Sequence, residues 1–250
     1  MPDKVLIIKL GALGDIVMST PLVCAIKKQH LRSQIIILTA VQFGYIFENF
    51  DGISLKTFNR HSLYQTIEIA KWIRSNNFSH IYDLQSSRRT SILTLMSGAP
   101  VRAGNHNSLS YTHFPAVPWK GQQHIFDRMC LLLKTCDINV HERRPILKAS
   151  KLVENKISSW LESHSLHDSS YVIMHAGSSP LKPEKRWPYF SALALDFQSK
   201  NITTVWVGAI DDESLNLALS EVTGVNASMA FDIFELAELG RRARFAVTND

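Results

Sequence analysis

The feature that most constrains this chain is the apolar run Val5-Leu6-Ile7-Ile8, which leads through Lys9 into Leu10-Gly11-Ala12-Leu13-Gly14-Asp15. A short, continuous, largely β-branched run fits a strand buried on both faces. After the glycine loop, Ile16, Val17, Leu22, Val23 and Ile26 fall at helical spacing. That stretch ends in Lys27-Lys28, where cations suit the helix dipole. Ile35-Ile36-Ile37-Leu38-Thr39 is a second buried run. Strand, loop, helix and strand in that order predict a parallel sheet with right-handed crossovers.

The alternation continues along the chain. Helical spacing covers 63–75, a strand follows at His80–Leu84, and a helix runs from Ser91 to Met96 and stops near Gly98 and Pro100. Residues 103–123 are rich in Asn, Ser, His and Pro and read as a long loop, a kind of segment that is often functional. Residues 125–136 are helical again. A new strand begins at Tyr171–His175, followed by a polar loop from Ala176 to Pro183 and a helix opened by Trp187-Pro188. Thr203–Gly208 and Ala243–Thr248 read as strands, with helices at 213–221 and 232–240. The reading is an α/β chain of two Rossmann-like lobes, 1–150 and 166–250, linked by 151–165. About three strands in the second lobe predict that it is incomplete, because a full domain is usually roughly 100–150 residues.

Composition narrows the partners. Three cysteines without CxxC spacing point to reduced thiols and argue against a disulfide framework or a zinc site. The first apolar run is too short for a signal-peptide core, and no run reaches the roughly 18 apolar residues of a membrane span. A cytoplasmic protein is expected, and peripheral contact with the cytoplasmic face of an inner membrane is compatible with it. The net charge of +5 is spread over the chain and suits an anionic partner. No nucleic-acid motif accompanies it.

The glycine loop is neither G-x-G-x-x-G nor a Walker loop, so a nicotinamide or ATP site is weakly supported. Asp15 at a helix start has two readings. It caps the helix and suits its dipole, or it is a reacting group at the carboxyl edge of the sheet. His175 reads equally as a core histidine or a ligand contact, and Lys185-Arg186 as a solvated helix start or a cation for a ligand.

Two blocks carry a family resemblance. Lys4 to Ile16 with Ser19-Thr20-Pro21 is one; Met174-His175-Ala176-Gly177-Ser178-Ser179 with Lys185-Arg186-Trp187-Pro188 and Phe190 is the other. Together they resemble the ADP-heptose:lipopolysaccharide heptosyltransferases, the family 9 glycosyltransferases. Asp83-Leu84-Gln85, Arg102-Ala103-Gly104 and His124 with Asp127-Arg128 are weaker echoes. Val247-Thr248-Asn249-Asp250 matches the start of a final family motif whose continuation is missing, which predicts a truncated chain.

The resemblance implies a GT-B enzyme that moves heptose, or a related sugar, from an ADP-sugar to the anionic lipopolysaccharide inner core. It implies inversion, no metal and no cofactor beyond the donor substrate. Asp15 would be the general base and Lys185 the cation on the leaving diphosphate. Ser178, Ser179 and Asp250 would join Lys185 on the donor. One of Asp211 and Asp212 would meet the ribose, with helix capping an equal alternative for both. On the acceptor side, Gly11 and Gly14 would allow close approach, and Arg60, Arg88, Arg89 and Arg102 are candidates for anionic groups. A catalytically inactive nucleotide- or glycan-binding homologue or fragment is the alternative reading.

Overall fold

Val5 through Ile8 have no exposed surface, and they form the central strand of a five-stranded parallel sheet. The computed structural model describes residues 3–59, 62–118, 123–179 and 182–249. It divides into two units, Met1–Leu147 and Lys148–Asp250.

The first unit runs β1 (Lys4–Ile8), α1 (Leu13–Gln29), β2 (Gln34–Ala40), β3 (Ile53–Phe58), α2 (Leu63–Ser75), β4 (His80–Asp83), α3 (Arg88–Ser97), β5 (Val101–Ala103) and α4 (Ile125–Lys134). Its strand order is β3-β2-β1-β4-β5. Register places Leu6 beside Ile36 and Ile81. These residues join Phe58, Ile69, Ile73 and Leu93 in one apolar core, so α2 and α3 are held by the sheet face they cover. Strand β3 escapes a search for buried runs because it is an edge strand with only Phe58 fully buried.

Helix α1 carries Pro21 in its interior. Proline has no N–H for the carbonyl four residues back. Here the Thr20 hydroxyl donates to the Val17 carbonyl at 2.7 Å instead. The same hydroxyl accepts from the Ile146 amide, which ties the end of the unit to α1.

The second unit contains α5 (Lys151–Ser163), β6 (Tyr171–His175), α6 (Phe190–Ser199), β7 (Thr203–Trp206), α7 (Glu213–Val222), β8 (Val225–Asn226), α8 (Ile233–Arg242) and β9 (Ala246–Thr248). Its parallel sheet has the order β8-β7-β6-β9. Side chains alternate along β6. Tyr171 and Ile173 pack with α5 and α8, whereas Val172 and Met174 pack with Phe190 and Ala194 of α6. The sheet has four strands rather than about three, since the two-residue β8 is too short to leave a sequence pattern.

The expected link 151–165 is instead mostly α5, and it belongs to the second unit. Ser150 caps it, Ile157 and Leu161 bury its inner face, and Lys156 pairs with Glu235 of α8.

Candidate functional site

In the first unit the chemistry-bearing residues gather at the carboxyl edge of the sheet, where open α/β sheets bind ligands. Gly11 has φ 150, outside the range that other residues adopt readily, so the turn between β1 and α1 depends on it. A Cβ on Gly14 would meet nothing within 4 Å; that glycine faces open space and leaves room for a ligand. The turn sets Asp15 in the first turn of α1, with its side chain 37% exposed. Beneath it Lys9 is almost fully buried, with Nζ 3.4 Å from Asp15 Oδ2. Burial lowers the Lys9 ammonium below the usual lysine value, and the Asp15 carboxylate opposes that shift. A buried cation thus orients Asp15 from below.

The loop is braced from the neighbouring strand. The Gln85 side-chain oxygen accepts from the Leu10 amide at 3.0 Å, and the Gln85 amide donates to the Ile8 carbonyl. Asp83 is fully buried at the end of β4. Its Oδ1 accepts from the Gln85 and Ser86 amides, and its Oδ2 accepts from the Tyr111 hydroxyl at 2.6 Å. Burial pushes the Asp83 carboxyl up to about 6, and these hydrogen bonds oppose that shift. Asp83 and Gln85 were only a faint motif in the sequence. Tyr111 and the buried Arg128, which donates to the Val117 and Asn105 carbonyls, carried no signal as anchors of the long loop.

The four candidate acceptor arginines separate. Arg60 lies outside the described residues. Arg102 is engaged within the fold: Nη1 donates to the Ala99 carbonyl and Nε to the Ser110 carbonyl, so it pins the loop that follows β5. Arg88 and Arg89 open α3 and are exposed, and they line a groove against α2.

In the second unit a cavity of about 350 Å³ is lined by His175, Gly177, Ser178, Ser179, Asp211, Asp212 and Asn249, with Ala209. The structure therefore brings together Ser178, Ser179, Asp211 and Asp212. It also separates the two aspartates. Asp212 is 5% exposed, lies 3.5 Å from His175 Nε2, and packs so closely on Gly177 that a Cβ there would fall 1.9 Å from its Oδ1. Asp211 is exposed at the cavity wall. Asp212 builds the wall, whereas Asp211 presents its side chain at the surface of the cavity.

Lys185 is exposed on the short 3₁₀ turn Pro183–Lys185 and is not among the cavity lining. Trp187-Pro188 do not open the helix as expected; α6 starts at Phe190. Asn249 bridges the loop that precedes α6. Its side chain accepts from the Trp187 amide at 3.0 Å and donates to the Ala176 and Gly177 carbonyls, clipping both ends of the loop to β9. In the sequence Asn249 stands out only as part of Val247-Thr248-Asn249-Asp250. Asp250 lies outside the described residues.

Among the described residues, no group of three or more His, Cys, Asp or Glu is placed to hold a metal ion. No helix among them is long and apolar enough to cross a membrane.

Comparison with known proteins places this geometry. A search of curated proteins returned no match. Among solved structures, a glycosyl transferase family 9 protein from Veillonella parvula superposes with a TM-score of 0.83 at 21% identity, covering 99% of this chain and 75% of that one. The ADP-heptose lps heptosyltransferase II of E. coli gives 0.72 at 16% identity, covering 99% and 79%. E. coli heptosyltransferase WaaC, solved with ADP-2-deoxy-2-fluoro heptose, gives 0.70 at 17% identity, covering 99% and 82%. These likenesses establish the GT-B fold. The sequence model for glycosyltransferase family 9 (heptosyltransferase) matches residues 66–250, a span that begins after the Asp15 loop and contains the whole cavity of the second unit. The chain belongs to glycosyltransferase family 9, the heptosyltransferases.

Proposed function

We propose that this chain transfers heptose, or a related sugar, from a nucleoside diphosphate donor to the lipopolysaccharide inner core, with inversion and without a metal ion or other cofactor. The observation that carries the reading is Asp15, half-exposed at a glycine-lined helix start and held from beneath by the buried Lys9. Its support is the family match, together with two neighbours described as heptosyltransferases, one of them solved with an ADP-heptose analogue.

The chemistry follows from the groups. A sugar hydroxyl is a poor nucleophile until its proton is removed. Asp15 accepts that proton as the hydroxyl oxygen bonds to the anomeric carbon. The bond from that carbon to the diphosphate breaks on the opposite face, which inverts the centre. The departing nucleoside diphosphate takes the electron pair and needs cations or aligned donors. Lys185 and the Ser179 hydroxyl are assigned that role, and Asp211 is assigned to the ribose. The acceptor is an anionic glycolipid, so the enzyme works at the cytoplasmic face of the inner membrane.

The test is transfer from ADP-heptose to a lipopolysaccharide-core acceptor, followed in the wild type and in Asp15→Asn. The wild type should form product of inverted anomeric configuration, equally well with a chelator present. The variant should still bind the nucleotide by calorimetry but turn over about 10²–10⁴-fold more slowly. Near wild-type turnover in Asp15→Asn would falsify the base. Nucleotide binding with no transfer in the wild type would support a binding homologue instead.

A further inference from the structure

Helices α2 and α3 lie side by side on one face of the first sheet, with a groove of about 820 Å³ along them. Its apolar floor is made by Ile67 and Ala70 from α2 and Ile92, Leu93 and Met96 from α3. The polar members are Thr66 and four cations: Lys71, Arg74, Arg88 and Arg89. No carboxylate lines it among the described residues. Beside it Glu68 is exposed and pairs with Lys71 at 3.6 Å.

The apolar surface extends outward from the groove. Leu63 and Ile67 on α2 are 80% and 56% exposed, and Ile92 and Met96 on α3 are 51% and 54% exposed. Each pair is four residues apart, so each forms a stripe on one helix face. Isolated exposed apolar residues need no explanation, but a joined patch rimmed by polar groups marks an interaction surface.

We infer that this face docks on an anionic lipid bilayer. The charge pattern chooses the occupant. An apolar centre whose rim carries four cations, with Glu68 beside Lys71, has a net positive border that matches acyl chains beneath negatively charged headgroups, and long Lys and Arg side chains reach from the one layer to the other. Location gives the docking a use. Helix α3 starts just beyond the Asp83–Ser86 turn, which braces the Asp15 loop. A bilayer under α2 and α3 therefore lies beside the edge where a membrane-borne acceptor would be deprotonated. That use rests on the proposed acceptor; the lipid contact itself does not.

The experiment is co-sedimentation of the protein with extruded vesicles of phosphatidylcholine, with or without about 30% phosphatidylglycerol, a charge density that gives each basic residue appreciable attraction. The anionic vesicles should carry down at least about fivefold more protein, and raised salt should release it. Ile67→Ser combined with Met96→Ser should weaken binding about tenfold, and Lys71→Glu should do so separately. All three positions are exposed, and circular dichroism checks that the variants fold.

Equal binding to neutral and anionic vesicles, or variants that sediment like the wild type, would overturn the proposal. So would a dimer, detected by light scattering, that Ile67→Ser dissolves, because the face would then belong to a second copy. No donor or acceptor is present in the assay. Vesicle binding by a protein without transferase activity removes the functional reading and leaves this surface standing. Transfer to a soluble acceptor without vesicle binding does the reverse.

Discussion

The two units place their functional groups by different means. In the first, residues 9–12 connect β1 to α1, and a short glycine turn sets Asp15 at a helix start, with the buried Lys9 below it and Gln85 bracing the turn. In the second, residues 176–189 connect β6 to α6, too many for backbone geometry to decide. There the shape comes from side chains, with Asn249 bonded to both ends of the loop and Asp212 packed on Gly177. A short loop makes a position robust to its neighbours. A long one makes it depend on residues far away in sequence.

Substitutions can break that contrast, and the largest effect belongs to the first unit. Asp15→Asn should cost about 10²–10⁴-fold in turnover with little change in donor affinity, since it removes a reacting group and no support. Next is Gly177→Ala. Its new Cβ would collide with the Asp212 carboxylate, and donor affinity measured by calorimetry should fall by about tenfold or more. An unchanged affinity would show that the loop does not need Gly177.

Asn249→Ala should be milder. It removes three hydrogen bonds at a partly exposed site, each worth about 1 kcal/mol or less, and should raise the donor KM about five- to tenfold while sparing the Asp15 loop. If kcat falls and KM does not, the clip positions reacting groups rather than the donor.

The smallest effect is read as a slope. The folded Asp83 carboxyl is raised to about 6 by burial, against about 3.9 in an unfolded chain. Between those values the native state holds the extra proton, so this group's contribution favours folding below about pH 4 and is lost as pH rises through about 6. Relative to Asp83→Asn, the wild type should lose denaturant stability across that window. A stability difference independent of pH would refute the shift.

Legibility from sequence follows the same divide. Strands buried on both faces declared themselves through continuous apolar runs, as with Val5–Ile8 and Tyr171–His175, and they led to the parallel sheets and the two-lobed fold. Edge strand β3 and the two-residue β8 did not, because exposed or very short strands have no need of such a run. At the site, the residues beside a strand end were readable: Gly11, Gly14 and Asp15 after β1, and Ser178 and Ser179 after β6. What could not be read was which polar residues serve the protein itself. Arg102 satisfies backbone carbonyls, and Asp212 differs from Asp211 only by the direction in which the chain turns. Both facts are tertiary, and a linear pattern holds neither.

The Asn249 clip also sets an order of events. Its partners Ala176 and Gly177 lie 73 and 72 positions earlier in the chain. During synthesis β6 emerges well before the residue that shapes the loop following it. The clipped form of this loop therefore waits until β7, α7 and α8 have been made and β9 has docked beside β6. The Trp187 amide, which donates to Asn249, should accordingly gain protection from hydrogen exchange in step with β9 rather than with β6. The cavity beside this loop would be among the last parts of its unit to mature.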